Sequence, residues 1–122
     1  MQFIDPETPW PAEALVLDNT QDVLARADEI RRHACVVLQF PKWTDGRAYS
    51  QAVLLRGRLA YAGTVGASDQ VLADMLPLLH RCGFDAVQLR ADQQQGHAHR
   101  ALGYFDTHYQ TVPAERRAPA TR

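Results

Sequence analysis

The sequence predicts a single α/β domain built on a mostly parallel sheet of four or five strands. Short apolar, β-branched runs alternate with stretches whose apolar residues recur at helical spacing. This alternation is typical of βαβ units and therefore of parallel sheets. The length of 122 residues fits one domain. An open doubly wound sheet and a half-barrel arrangement are both compatible with the pattern.

Residues 1–13 are expected to form an extended N-terminal arm before the α/β domain. Pro6, Pro9 and Pro11 disfavour helix there, and Trp10 is expected to dock the arm onto the core. The α/β domain is predicted over residues 14–112. The polar, proline-containing residues 113–122 predict a flexible tail.

The first half of the domain is predicted to contain two strands and two helices. A short strand at 14–17 precedes the cap-type residues 18–20 and a helix at 21–32. A buried strand is expected at 34–40. The next helix is expected to be capped by Thr44 or Asp45. Its buried face is predicted from four apolar residues at helical spacing: Ala48, Ala52, Leu55 and Leu59.

The second half of the domain is predicted to contain a weak strand at 61–67, a third helix capped by Ser68 or Asp69, and a strand at 84–89. A polar helix at 92–102 and a short strand at 106–112 are expected to complete the domain.

Two residues are expected to shape the third helix. Pro77 lies within its apolar stripe, so it should either kink the helix or mark its true start. Gly83 is expected to end the helix as a C-terminal glycine.

Composition and charge argue against several functional classes. The 13 basic and 14 acidic residues give a net charge of -1, which disfavours a nucleic-acid binder and a polybasic membrane contact. No apolar run approaches the roughly 18 residues of a spanning helix, and no secretory signal pattern is recognisable. The expected location is the cytoplasm. The sequence leaves the oligomeric state open, with a homodimer among the alternatives.

The cysteines and histidines indicate little about the function of the protein. Cys35 and Cys82 are expected to be two buried thiols, with a catalytic thiol as the alternative. His97 and His99 are expected to be solvated, and no metal site is predicted. The P-loop and Gly-x-Gly-x-x-Gly patterns are absent, so the sequence identifies no cofactor.

Residues 40–51, with the sequence FPKWTDGRAYSQ, form the chemically densest stretch. They follow a predicted parallel strand and open a helix, which is where ligands bind in parallel α/β folds. A helix start with two nearby cations, Lys42 and Arg47, suits an anion or another polar ligand. The alternative is plain capping, in which Asp45 caps the helix and both cations are solvated.

Candidate roles follow from this placement. Asp45 and Tyr49 are the candidate catalytic residues. The candidate ligand-binding residues are Lys42, Thr44, Gly46, Arg47, Ser50 and Gln51, together with Arg56 of the motif at 54–56 described next.

Residues 40–51, together with 54–56 (LLR) and 81–85 (RCGFD), resemble the bacterial domain of unknown function 934 family. The resemblance implies an oxidoreductase or an accessory protein of assimilatory sulfite reduction, with sulfite reductase as a partner. Two alternatives stay open. One is a non-catalytic module that docks on sulfite reductase or binds a small anion. The other is a degenerate scaffold, since residues 66–70 lack the Arg and the Gly-Asp pair usual in the family.

Overall fold

The computed structural model describes residues 1–93 and 108–109, which form an open sheet in which every neighbouring pair of strands is parallel. The strand order is β2-β3-β4-β5-β1-β6. The strands are β1 (Gln2–Ile4), β2 (Leu15–Leu17), β3 (Cys35–Phe40), β4 (Thr64–Asp69), β5 (Ala86–Gln88) and β6 (His108–Tyr109). The predicted α/β class and parallel sheet are confirmed.

Three helices connect the strands β2 to β5 in sequence order: α1 (Ala27–Arg31), α2 (Arg47–Gly57) and α3 (Leu76–Cys82), the last preceded by a 3₁₀ turn at Ala73–Met75. Because such crossovers are right-handed, consecutive strands in this order place all three helices on one face. The packing of α2 against both β3 and α3 agrees with this arrangement. These three helices therefore cover the same face of the open sheet.

The segment after β1 crosses the other face of the sheet. β1 lies between β5 and β6, and the chain then returns to β2 at the far edge. The ring of Trp10 lies on Gly66 of β4, where an added Cβ would come within 2.5 Å of Trp10 Cη2. The Trp10 indole N–H also donates to Gln88 Oε1 at 3.0 Å. The sheet is therefore covered on both faces, and Trp10 docks as predicted.

The main core lies between the sheet and the helices. Strand register places Val36, Val65 and Val87 on the helix-bearing face, where the helices add Leu55 and Leu79. All five side chains are fully buried. Burial of this apolar surface, at roughly 25 cal/mol per Å², is the main force that holds α2 and α3 on the sheet.

Several element boundaries differ from the predictions. The expected arm at 1–13 contains β1, which adds one strand to the predicted four or five. α1 begins at Ala27 rather than 21, because Asp18 and Asp22 accept backbone N–H bonds from Thr20 and Leu24. Such local bonds compete with helix.

The helix ends have simple local causes. Gly46 is the N-cap of α2, in place of the predicted Thr44 or Asp45. β4 extends through Asp69, so neither Ser68 nor Asp69 caps α3.

Pro77 lies in the first turn of α3 and marks its start, one of the two predicted outcomes. Gly83 ends α3 in the left-handed conformation with φ 103°, as predicted.

Several predicted features lie outside the described residues. They are most of the helix at 92–102, the tail at 113–122, and the histidines His97 and His99. β6 lies within the strand predicted at 106–112. Within residues 1–93 and 108–109, no helix has the length and apolar character needed to cross a membrane.

Candidate functional site

Four polar residues meet where β2 and β3 end, and we call them the carboxyl-edge cluster: Asn19, Asp45, Arg47 and Gln51. Asn19 follows β2, whereas Asp45 follows β3 and the other two belong to the first turns of α2. Parallel pairing of β2 with β3 brings the two loops together at one edge of the sheet. The position agrees with the ligand-binding edge of parallel α/β folds.

Asp45 is the centre of the cluster. Arg47 donates to it from Nε at 3.2 Å and from Nη2 at 2.9 Å, and the Arg47 backbone N–H donates to Oδ1 at 3.1 Å. Asn19 Nδ2 adds a bond to Oδ2 at 2.8 Å. These bonds, those from the Arg47 side chain above all, lower the Asp45 pKa from 3.8 to about 2. Asp45 is therefore a carboxylate at every physiological pH.

The Asp45 carboxylate changes the expected electrostatics of the helix start. It accepts the N–H of the first residue of α2, so it already occupies part of the position where an external anion would bind. It also neutralises one of the two nearby cations. The helix start is thus less anion-selective than the sequence predicted, and it retains Lys42 as a cation without a described partner.

Gln51 contributes a buried acceptor. Its Nε2 donates to the backbone oxygens of Asp18 at 2.9 Å and Gln21 at 3.0 Å, which fixes the orientation of the amide. Its Oε1 is buried, in a residue that is 5% exposed, and has no hydrogen-bond partner among the described residues. A buried acceptor without a partner costs about 1–3 kcal/mol, so the site favours a donor at this atom.

Three further predicted residues, Lys42, Thr44 and Ser50, are exposed around the cluster. Trp43 lies in the same loop and is 55% exposed, which is unusual for so large an apolar side chain. Gly46 provides the turn into α2 as its N-cap, with an unstrained φ of -88°. The loop therefore presents one aromatic, one amine and one hydroxyl group to solvent, and Ser50 of α2 adds a second hydroxyl beside it.

Tyr49 packs away from Asp45. Its ring makes edge contacts with Phe40 and Phe84, with centroid separations of 5.1 and 6.5 Å. Burial raises the pKa of its hydroxyl, so it stays protonated at neutral pH. The two candidate catalytic residues thus do not converge, and neither has a pKa suited to proton transfer near pH 7.

Arg56 lies at the other end of α2, roughly 13 Å from Arg47 at the rise of an α-helix. Its five N–H groups are all used. Nε donates to Gly83 O at 3.0 Å, Nη1 donates to the oxygens of Tyr61 and Gly63 at 2.8 and 2.7 Å, and Nη2 binds both oxygens of Asp85. The structure therefore separates Arg56 from the carboxyl-edge cluster.

We call Arg56 and its four partners the amino-edge clamp: Arg56, Tyr61, Gly63, Gly83 and Asp85. They join the end of α2 to the residues that precede β4 and β5. Asp85 is buried to 1% exposure, and the Arg56 side chain to 16%. These groups hold the structure together at the edge opposite the candidate site.

The cysteines are free thiols, and Cys82 is half-buried rather than buried as predicted. Burial raises the pKa of Cys35 to about 11, and it also raises the pKa of Cys82. Neither thiol is ionised at neutral pH, which disfavours the catalytic-thiol alternative. Within the described residues, no group of three or more histidine, cysteine or acidic side chains could hold a metal ion.

Sequence reasoning missed two residues. Asn19 was treated only as a cap-type residue, although its position after a strand next to β3 is a signal for the carboxyl edge. Asp85 was noted only within the motif at 81–85. Its pairing with Arg56, 29 positions away in the chain, leaves no local pattern.

The comparisons with known proteins agree with the resemblance. The profile of a bacterial family of unknown function (DUF934) matches residues 14–120, nearly the whole chain. The chain therefore belongs to the domain of unknown function 934 family. No curated protein and no solved structure matches it.

Proposed function

We propose that the protein is a ligand-binding accessory protein of assimilatory sulfite reduction, with its site at the carboxyl-edge cluster. The biological setting comes from the family resemblance of residues 40–51. The observation that carries the site is the ordered Asp45–Arg47 pair, which Asn19 joins across the carboxyl ends of β2 and β3. The expected ligand is a small polar molecule or oxyanion.

Each contact has a proposed role. Lys42 and the Nη1 group of Arg47 bind the anionic portion of the ligand, while Gln51 fixes the neighbouring loop through Asp18 and Gln21. Asn19 and Asp45 hold the Arg47 guanidinium in place. Because the pair is preorganised, binding orders few additional side chains.

Binding is better supported than catalysis by Asp45 and Tyr49. The first is an ionised carboxylate with a depressed pKa, and the second is a protonated phenol that packs elsewhere. An oxidoreductase would therefore need a bound electron carrier. The absorbance spectrum of the purified protein, before and after addition of flavin or nicotinamide nucleotides, tests this alternative. A bound chromophore that undergoes reduction would replace the binding proposal with the redox one.

Calorimetric titration tests the site directly. Sulfite, sulfate, phosphate and adenosine monophosphate are added to the wild type and to Arg47→Ala. The variant is expected to bind the recognised ligand roughly tenfold more weakly or worse, since a charged hydrogen bond is lost. Arg58→Ala, which removes an exposed arginine just after the other end of α2, is the matched control. Equal binding by wild type and Arg47→Ala, or no binding by either, would refute the proposal.

A docking function is the second candidate, and the exposed Trp43 favours it. Exposed aromatics beside a cation are typical anchors of protein interfaces. If this loop contacts sulfite reductase, a pulldown should recover the reductase with wild type and lose it with Trp43→Ala. Val53→Ala, at a side chain 53% exposed on α2, is the control. Recovery of nothing by the wild type would exclude stable docking.

A further inference from the structure

A depression lies on the same edge of the sheet as the carboxyl-edge cluster, where β1, β4 and β5 end. It has a volume of about 270 Å³, and its lining includes Pro6, Asp69, Gln70, Gln88 and Arg90. The volume is just below the roughly 300–1,000 Å³ of sites for drug-sized ligands, which suits a ligand of few heavy atoms. None of the lining residues belongs to the carboxyl-edge cluster.

The topology marks this depression as a ligand position. From β4 the chain continues to α3 on the helix-bearing face, whereas from β1 it continues to Trp10 on the other face. In open α/β sheets, ligands bind outside the carboxyl ends of strands where the connections diverge to opposite faces. β5 lies between these two strands, so the depression is at the point of divergence.

Asp69 is the first charged group of the depression. It ends β4 with φ 84°, a left-handed conformation that favours glycine and that costs a residue with a side chain free energy. Its carboxylate is exposed and makes no ion pair or hydrogen bond to a described residue. Aspartate is one of the few residues besides glycine that adopt this conformation, so the backbone accommodates the carboxylate and leaves it available to a ligand.

Arg90 is the second charged group, and it is held in a fixed position. Nε and Nη2 donate to Asp92 at 2.6 and 2.7 Å, and Nη1 donates to Gln70 Oε1 at 3.1 Å. Two of its five N–H groups have no partner among the described residues. Asp69 and Arg90 line one depression, yet they are not within ion-pair distance of each other. A space therefore separates opposite charges.

We propose that this depression binds a small zwitterion of the α-amino acid class. The ammonium group contacts the Asp69 carboxylate, and the carboxylate group accepts the two remaining Arg90 N–H bonds. Gln88 supplies a wall that is itself fixed, since its amide binds Trp10, Asp5 and Thr8. This site is independent of the carboxyl-edge cluster and of its proposed ligand.

Nuclear magnetic resonance provides a local readout, because the two indole N–H groups report on different sites. The Trp10 indole is bonded to Gln88 of the depression, whereas Trp43 belongs to the loop of the carboxyl-edge cluster. Titration of the ¹⁵N-labelled protein with L-serine as probe should shift the Trp10 signal saturably and leave the Trp43 signal in place. Ethanolamine and propionate, which each carry one of the two charges, should bind roughly tenfold more weakly.

Two variants keep the test independent of folding. Asp69→Asn and Asp69→Gly both tolerate the left-handed backbone, so both should remain folded with a Tm at or above that of wild type. Both should weaken L-serine binding roughly tenfold or more. Asp74→Asn, which neutralises another exposed carboxylate, should bind like wild type.

The proposal is overturned if wild type shows no saturable Trp10 shift at millimolar L-serine, if the single-charge probes bind equally well, or if Asp69→Gly binds unchanged.

Discussion

Two arginine–carboxylate pairs lie at opposite edges of the sheet and differ in their surroundings. Arg56 and Asp85 are 16% and 1% exposed, and every N–H of the arginine is bonded. Arg47 and Asp45 are 63% and 20% exposed, and part of the guanidinium has no described partner. The guanidinium of the first pair has no N–H group left for a ligand, whereas that of the second does. The same residue types, both within the recognised motifs, thus serve structure at one edge and are available for binding at the other.

The largest expected effect comes from breaking the buried pair. Arg56→Met removes the guanidinium that binds the Asp85 carboxylate, whose side chain is 1% exposed, so it should lower the free energy of unfolding by about 3–5 kcal/mol. Urea denaturation measures this. The double variant Arg56→Met/Asp85→Leu should lose less than the single variant, because it removes the buried carboxylate together with the guanidinium. If the single variant unfolds like wild type, the clamp is not structural.

Gly83→Ala should have the next largest effect on the same clamp. A Cβ at Gly83 would lie 2.6 Å from Arg56 Cγ, and the residue has φ 103°. Strain and displacement of Arg56 should together cost about 1–3 kcal/mol in urea denaturation. The control is Gly57→Ala in α2, where nothing lies within 4 Å of the added Cβ. This helical substitution should instead stabilise the protein by about 0.5–1 kcal/mol. If Gly83→Ala and Gly57→Ala changed the free energy of unfolding equally, the close contact and positive φ at Gly83 would not matter for stability.

Arg47→Ala should affect stability far less than Arg56→Met, because exposed ion pairs contribute little. Its urea midpoint should stay close to that of wild type, while its ligand affinity falls. Arg47→Ala should thus lose ligand affinity and keep its stability, whereas Arg56→Met should lose stability, and this difference distinguishes the two edges. A large loss of stability in Arg47→Ala would mean that both pairs are structural.

The smallest expected effect is the contribution of the Asp45–Arg47 pair to the pH dependence of stability. Asp45 has its pKa lowered from 3.8 to about 2, so its carboxylate stabilises the folded state at pH values above about 4. That contribution should disappear as the pH falls from about 4 to about 2. Thermal unfolding of wild type and Asp45→Asn should therefore differ at neutral pH and converge in acid. A constant difference across this window would show that Asp45 does not act through its charge.

The sequence predicted the parts of the fold that depend on local pattern. The run at 34–40 gave β3, the helical spacing of Ala48, Ala52 and Leu55 gave the buried face of α2, and Gly83 ended α3. β1 was missed as a strand because Gln2–Ile4 is only three residues long and its partners lie at the other end of the chain. Strand pairing at such separation has no local signature.

The site was predicted in position but not in detail. The carboxyl edge could be expected for 40–51, since it follows a parallel strand. That Asp45 would bind Arg47 and Asn19 depends on the loop after β2, which the sequence placed only approximately. Arg56 was grouped with the site because it belongs to the motif at 54–56 that carries the family resemblance, although a helix of 11 residues carries it to the opposite edge.

The crossing segment over Gly66 has a consequence for folding kinetics. Gln88 bonds Trp10 and Thr8, which precede it by 78 and 80 positions. Closing so long a loop is entropically costly, and such non-local pairing slows folding. Assembly of β2 to β5 through short βαβ connections is therefore favoured first, with β1 joining later. Until it does, β5 retains an open edge, so the rate at which β1 is captured limits how long this chain is exposed to aggregation.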